Sequence, residues 1–410
     1  MSALPPIHGH EDIRARLARA AARRALSGSL LLHGRHGIGK QRLALWLARR
    51  LLCTGPDATA TEPCGACRSC RLALRLEHPD IHWFFPMPRP RAGGSLDKLV
   101  DAVEDARAET LASRRRNPLR PPPLPGEPVG LYLAHVHAIR RIVAARPVMS
   151  DRQVVIVGNA ELLVPQESSP EAANAFLKLL EEPPDHTTFL LTAGDPDALL
   201  PTLRSRLQRI RLRPLTPHRV ADFLVRSRNV DADRARLVAR LAQGAIGRAL
   251  AFLPIDPDDD DDDDAEPGPL EALRTDARSL LSAATADRPT ARLHASLAQR
   301  PTGARGHFYE LLGFLTIWIR DLAAVACTDD HDHVINIDAL DFLTDIARRL
   351  PHTADGAARA IDAVEQARAL ARGNVNPQLT LAWLLRRIHS VLQGTATAFD
   401  PSGPTPAPSP

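Results

Sequence analysis

The stretch Gly34-Arg35-His36-Gly37-Ile38-Gly39-Lys40-Gln41 constrains this chain more than any other. It follows a short apolar run, Ser29-Leu-Leu-Leu-His33, that reads as a buried strand. It precedes a segment, Gln41 to Leu52, in which Leu43, Trp46, Leu47 and Leu51 recur at helical spacing. Strand, glycine-rich turn and helix in that order make a cradle for phosphate. Glycines let backbone N–H groups curl round an anion, and the helix N-terminus adds favourable partial charge. Gly34, Gly39 and Lys40 match the pattern G-x-x-x-x-G-K, Gly37 lies inside the turn, and Gln41 stands where the pattern has Ser or Thr. The chain has 49 Arg and only three Lys (Lys40, Lys98 and Lys178), so a Lys where the pattern demands one is informative.

Gln41 lacks the hydroxyl that holds Mg²⁺ in such loops. A second strand, Val154-Val-Ile-Val157, ends in Gly158-Asn159, where a magnesium-dependent ATPase needs an acidic tip. Glu161 lies two residues further on and is expected to face elsewhere. Two magnesium-linked positions thus depart together, and ATP turnover with Mg²⁺ is not expected of this chain. Whether the degenerate loop keeps a nucleotide stays open, beside the plainer reading of a strand–helix turn with no ligand.

At ~150 residues per domain, 410 residues suggest two or three domains. Hydrophobic residues make up 44%, which excludes wholesale disorder and collagen. No apolar run approaches the ~18 residues a membrane helix needs, and charges recur from Glu11 onward without an apolar leader. A cytoplasmic protein with no membrane partner is expected. Residues 1–250 hold 38 Lys/Arg and 24 Asp/Glu, a balance of +14; residues 251–410 hold 14 and 24, a balance of −10. The basic half could face nucleic acid or nucleotide phosphates. The acidic run Asp258–Asp264 reads as a solvated linker.

Alternating strands and helices predict a parallel α/β sheet over 1–213. Its further elements are helices at 137–146 and 170–182, the latter stopped by Pro183-Pro184, and strands at 189–192 and 209–213. Residues 86–128 hold nine prolines and read as an insertion with one amphipathic helix, from Leu96 to near Arg116. A compact helical segment at 214–253, an Asp-rich linker at 254–268, a helical domain at 269–394 and a Pro/Ser/Thr-rich tail at 395–410 complete the expected organisation.

Four of the five cysteines fall at 53, 64, 67 and 70. In a cytosolic setting this cluster reads as metal binding rather than disulfides. Cys53, Cys64, Cys67 and Cys70 can close a tetrahedron around a structural Zn²⁺, leaving no open coordination position for catalysis. Cys327 reads as a buried apolar residue. Leu203-Arg204-Ser205-Arg206 follows the 189–192 strand; by itself it reads as a solvated basic helix end, although an Arg can act in trans on a neighbour's γ-phosphate.

Taken in order, several stretches resemble the bacterial clamp-loader subunits of the AAA+ class, most closely the δ′ family of DNA polymerase III. They are the cysteine cluster with His78-Pro79-Asp80; Ala173-Asn-Ala-Phe-Leu-Lys-Leu-Leu-Glu-Glu-Pro-Pro184; Leu203-Arg-Ser-Arg206, with Leu207 where the family's Ser-Arg-Cys motif has Cys; and Asn374-Val-Asn-Pro-Gln-Leu-Thr-Leu-Ala-Trp-Leu-Leu385. The likeness spans about residues 7–392, less the insertion and the Asp run.

The resemblance implies an AAA+ P-loop domain with a parallel sheet, a small helical lid and an all-helical collar. It implies assembly with sister subunits (δ and τ/γ) into a hetero-pentamer that loads the sliding clamp onto primer–template DNA. Such a chain is part of a DNA-directed DNA polymerase holoenzyme without itself being polymerase or active ATPase. The family's arginine finger falls on Arg206, with Ser205 beside it. Position 247, where hydrolysing relatives often place a lid Arg, is Gly, followed by Arg248. Two other readings stand beside this one: an active τ/γ-like ATPase, and a zinc-dependent nucleic-acid-binding module. The scarcity of aromatics, 4%, speaks against the last, because base-stacking platforms need them.

Overall fold

The computed structural model describes residues 4–57, 59–90, 95–120, 129–163, 171–255, 266–299, 305–350, 352–371 and 375–395. The Asp258–Asp264 run, the tail from residue 396 and Asn374 lie outside them. Two compact units form. The first holds the described residues up to 120, 129–235 and 242–250; the second holds 236–241 and those from 251 onward.

The strands are β1 (Ser29–His33), β2 (Ile81–Phe84), β3 (Met87–Pro88), β4 (Val129–Gly130), β5 (Gln153–Val157), β6 (Thr187–Ala193) and β7 (Gln208–Arg211). Helices α1 (Glu11–Ala22), α2 (Lys40–Leu51), α3 (Arg68–Leu74), α4 (Leu96–Arg116), α5 (Leu133–Val143), α6 (Glu171–Glu181) and α7 (Pro201–Ser205) alternate with them. They are followed by α8 (Pro217–Arg228), α9 (Ala232–Ala242) and α10 (Ile246–Ala251). The remaining helices are α11 (Pro269–Thr285), α12 (Pro289–Leu297), α13 (Arg305–Cys327), α14 (Leu340–Arg349), α15 (Thr353–Ala371) and α16 (Pro377–Leu392).

Five strands form one parallel sheet in the order β2-β5-β6-β1-β7, as the sequence predicts for this region. The central strands carry apolar runs because both faces are covered: Leu30–Leu32, Val154–Val157 and Phe189–Leu191 are fully buried. Leu31 stands opposite Leu191 on one side and Arg209 on the other. The edge strand β7 alternates, with Ile210 turned partly inward and its Arg neighbours out. In such sheets ligands bind outside the carboxyl ends of the strands, and the glycine turn after β1 opens there.

The described residues of the insertion, 86–90 and 95–120, belong to the first unit. Its helix α4 buries Val100 and Val103 in the core of the first unit. Arg107 lies over the Phe84 ring at 4.9 Å, and Arg114 over Trp83 at 4.3 Å and Phe85 at 4.6 Å, so guanidinium planes cover the aromatic end of β2.

The second unit is helical among its described residues. Its polar centre is buried and fully partnered: Asp321 accepts from the Asn336 backbone at 2.7 Å and side chain at 2.8 Å, and Arg274 Nε donates to Asn336 Oδ1 at 2.8 Å. Trp318, also buried, donates its indole N–H to the Arg274 carbonyl. Asn376 caps α16 by accepting from the Gln378 and Leu379 N–H groups, with Pro377 at the first helical position. Ile255 and Glu266 pair as an antiparallel bridge. Cys327 is exposed, contrary to expectation: it is the last residue of α13, beyond the helix's buried stripe.

Two histidines of the first unit are neutral for the same reason. Burial pushes both His82 and His135 down to about 4, with Arg107 adding to the effect at His82. Above pH 6.5 each is neutral folded or unfolded, and neither affects stability. Below it the unfolded chain takes up protons that the fold refuses, so stability falls as pH drops from 6.5 towards 4. At ~1.36 kcal/mol per unit the loss approaches about 3 kcal/mol per histidine. The melting temperature should therefore fall across that window, and His135→Asn should flatten the descent. An identical slope in the variant would remove His135 from this account.

Candidate nucleotide, metal and arginine sites

The glycine turn needs its glycines. Gly34, Gly37 and Gly39 have φ of 145°, 75° and 102°, values that L side chains rarely adopt. Lys40, the first residue of α2, is buried, and its ammonium turns back onto the loop. It donates to the Gly34 carbonyl at 2.6 Å and the Arg35 carbonyl at 2.9 Å. Burial pushes it down to about 8, against the pull of Glu161.

Gln41 and Asn159 come together at this site. Gln41 Nε2 stands 3.5 Å from Asn159 Oδ1, at the outer limit of a hydrogen bond. A Cβ on Gly158 would meet that nitrogen at 2.7 Å. Asn159 is left-handed, φ 50°, and its N–H donates to Thr192 Oγ1 at 3.0 Å. A neutral amide pair thus occupies the place where a magnesium site would set a hydroxyl against a carboxylate.

Glu161 does not face elsewhere, which corrects the sequence expectation. The left-handed turn at Asn159 leads into a 3₁₀ turn, Ala160–Leu163, that brings the Glu161 carboxylate back across the strand ends. Its Oε1 accepts from the Gly194 N–H at 2.8 Å, at the end of β6. Burial raises its pKa, opposed by that hydrogen bond and by Lys40, and its second oxygen, Oε2, is buried without a partner.

The start of α10 closes on the glycine turn. The Gly247 N–H donates to the Gly37 carbonyl at 2.8 Å, and a Cβ on Gly37 would meet the Arg248 nitrogen at 2.7 Å. Arg35 Nη2 donates to Gln243 Oε1 at 2.6 Å. Nothing in the turn's own pattern announces these contacts, which join residues about two hundred positions apart.

The four cysteines converge as their spacing predicts. The sulfurs of Cys53, Cys64, Cys67 and Cys70 lie within 4.8 Å of one another. Cys64 Sγ and Cys70 Sγ are 3.9 Å apart, close to the ~3.8 Å edge of a tetrahedron with Zn–S bonds of ~2.3 Å. Backbone N–H groups point at the sulfurs, from Gly55 and Cys64 to Cys53, from Cys67 to Cys64 and from Cys70 to Cys67, at 3.3–3.4 Å. Burial acts against the Cys67 thiolate, but the Cys70 and Thr54 donors hold it at about 6; at Cys70 burial dominates and raises the thiol. Four soft donors, closely spaced and amide-supported, fit a tetrahedral Zn²⁺.

The surrounding anchors are built into the same unit. Glu62, in the loop between Cys53 and Cys64, pairs with Arg14 and accepts from Trp46 Nε1 at 2.8 Å. Ser69 Oγ meets His78 Nε2 at 2.9 Å, and His78 Nδ1 accepts from the Asp80 N–H. The buried Asp80 carboxylate in turn accepts from the N–H groups of Val148, Met149 and Ser150 at 2.6–2.9 Å.

Arg206 caps α7. Its Nη2 donates to Glu181 Oε1 at 2.6 Å and its Nη1 to the Thr202 carbonyl at 3.0 Å. Ser205 Oγ donates to the same carbonyl, and the adjacent Arg204 pairs with Asp197. The Arg206 side chain remains 38% exposed.

A parallel sheet in this order, a glycine cradle at its carboxyl edge and a solvent-facing arginine after the fourth strand define an AAA+ P-loop architecture with a helical C-terminal unit. The sequence model of the family described as "DNA polymerase III, delta subunit" matches residues 9–216, and the chain belongs to that clamp-loader family, in its δ′ branch. It is 30% identical over 266 residues to the DNA polymerase III subunit delta′ of Escherichia coli K12, covering 65% of this chain and 66% of that one. It is also 30% identical over 220 residues to the subunit gamma/tau of Mycobacterium tuberculosis H37Rv, covering 53% of this chain and 30% of that one. The chain therefore spans less than two thirds of the length of these relatives. A solved structure of a gamma subunit-related protein from Thermotoga maritima aligns over 94% of this chain and all of that one, at 14% identity and a TM-score of 0.34. No described helix is long and apolar enough to cross a membrane.

Proposed function

We propose that this chain is the non-hydrolysing δ′ subunit of a bacterial clamp loader. In this reading it is divided into an AAA+ domain (1–213), a lid (214–253), a linker (254–268) and a collar (269–394). It joins δ and τ/γ subunits in a cytoplasmic hetero-pentamer and supplies Arg206, with Ser205 beside it, to the ATP site of a neighbour. The assembly loads the sliding clamp onto primer–template DNA. Contacts of this chain with the DNA backbone through its basic half belong to the same reading. Cys53, Cys64, Cys67 and Cys70 hold a Zn²⁺ that is architectural, since four protein ligands leave no position for a reacting molecule.

The observation that carries the proposal is the state of the glycine turn. Lys40 is engaged by the loop's own carbonyls, and Gln41 and Asn159 face each other as neutral amides where magnesium chemistry needs a hydroxyl and a carboxylate. Gly247 at the start of α10 packs against Gly37 rather than presenting an arginine to a phosphate.

One observation favours a second reading, the active τ/γ-like ATPase. Glu161 returns an acid to the strand ends with one oxygen unpartnered, near Lys40. ATP binding and turnover by the purified chain, alone and then mixed with its sister ATPase subunits, separate the two. The expected result is no magnesium-dependent turnover alone and Arg206-dependent turnover in the mixture. Turnover by the chain alone, abolished by Glu161→Gln, would establish the motor instead.

A further inference from the structure

We infer that Glu181 is a positioning residue for Arg206: it holds the guanidinium at the end of α6 so that the unused face of the fork is presented to a neighbouring subunit. The inference rests on the proposed role of Arg206 and adds to it the group through which that role is prepared.

The argument begins with a local conflict. Glu181 is the last residue of α6 and Glu182 follows it, yet the C-terminus of a helix carries partial negative charge and disfavours carboxylates. A rule broken locally marks a place where another requirement prevails. The structure supplies that requirement: Glu181 Oε1 accepts from Arg206 Nη2 at 2.6 Å. The guanidinium thereby offsets both the carboxylate and the helix end. A second fixed acceptor, the Thr202 carbonyl, takes Nη1 at 3.0 Å. Two points of attachment fix the plane of a rigid fork; one would leave it free to turn. Arg206 has five N–H donors, and the others have no partner among the described residues. The side chain is 38% exposed, so part of it stays accessible to a partner. A long, flexible side chain that must meet developing charge on another subunit gains from being oriented beforehand.

Glu181 does not touch the reacting atoms in this account, and its loss should cost less than the loss of Arg206. An exposed ion pair of this kind is worth up to about fivefold. The test uses the complex assembled with the sister ATPase subunits, with single-turnover ATP hydrolysis as the readout. Glu181→Ala should lower the hydrolysis rate up to about fivefold while leaving the KM for ATP and assembly unchanged. Glu181→Gln, which keeps an acceptor oxygen, should recover most of the loss. In an Arg206→Ala background, Glu181→Ala should cost nothing further. An unchanged rate, a raised rate (Glu181 would then restrain the arginine rather than present it), or an equal loss in the Arg206→Ala background would each overturn the inference. If Arg206→Ala itself leaves hydrolysis unchanged, the underlying reading fails, and that outcome is visible independently.

Discussion

Arg206→Ala should lower ATP hydrolysis at the neighbour's site to which Arg206 is proposed to contribute by about 10³-fold or more, with folding and assembly intact. An arginine supplied in trans neutralises charge as it develops on the transferring phosphoryl group, and such residues are worth ~10³–10⁵ in rate. At ~1.36 kcal/mol per factor of ten, the lower figure is about 4 kcal/mol of transition-state stabilisation. The contribution of the same side chain to the fold is far smaller. Its two contacts, to Glu181 and the Thr202 carbonyl, are partly exposed, and ion pairs of this kind are worth ~0–1 kcal/mol. The melting temperature should therefore move by only a few degrees while hydrolysis at that site collapses. The measurement is single-turnover hydrolysis by the complex together with clamp loading onto primed DNA. Arg206→Lys should rescue little, because an ammonium is a point charge without the planar fork. Unchanged hydrolysis and loading in the Arg206→Ala complex would show the finger assignment to be wrong.

What was legible in the sequence is what short-range chemistry dictates. The glycine turn announced itself because only glycine tolerates φ of 75° to 145° at three places in six residues. The apolar runs at 30–32, 154–157 and 189–191 fixed the buried centre of a parallel sheet. The cysteine spacing fixed the cluster, since two x2 steps leave little choice of geometry. Helix α6 ends where Pro183-Pro184 forbid its continuation.

The features that sequence reading missed depend on approaches between distant segments. The return of Glu161 needs a left-handed Asn159 and a 3₁₀ turn, and its partner is the Gly194 N–H, 33 residues away. A carboxylate two places past a strand tip gives no local sign of which way it will turn. The pairing of Arg206 with Glu181 spans 25 residues and two helices. The one available signal was the misplaced acid at a helix end. Gly247 reads as a lost arginine; that its missing side chain admits the Gly37 backbone appears only in three dimensions. Strand β2 was missed for another reason: it is four residues long, at a sheet edge, with its aromatic end covered by α4 instead of by a second strand.

Removing the Zn²⁺ proposed for the four cysteines should unfold the 53–80 segment while leaving the parallel sheet in place. Structural Zn²⁺ contributes ~10–16 kcal/mol in small peptide modules that have no other core. Here part of the segment is also held by its own anchors, Glu62 on Arg14 and Trp46, Arg50 on the Ala60 carbonyl, and Ser69 on His78. The cost of losing the ion should accordingly fall below the peptide figure yet remain several kcal/mol, because four sulfurs held within 4.8 Å lose their common partner. Cys67→Ser replaces a thiolate ligand by a weakly coordinating hydroxyl. It should reduce bound zinc from about one equivalent to a small fraction and lower the first melting transition. Hydrogen exchange should quicken first in α3 and the Cys53–Cys64 loop. It should then spread along Ser69, His78 and Asp80 to the backbone amides of Val148, Met149 and Ser150, which the Asp80 carboxylate holds. The amides of β1 and β6, buried but for His33 and paired on both sides, should exchange as slowly as before. Chelation of the unsubstituted protein should reproduce the same pattern, and added Zn²⁺ should reverse it. A Cys67→Ser variant that keeps one equivalent of zinc and melts unchanged would mean that the ion, if bound, is held elsewhere. Exchange that quickened equally in the central strands would mean that the cluster supports the whole unit rather than the segment between α2 and β2.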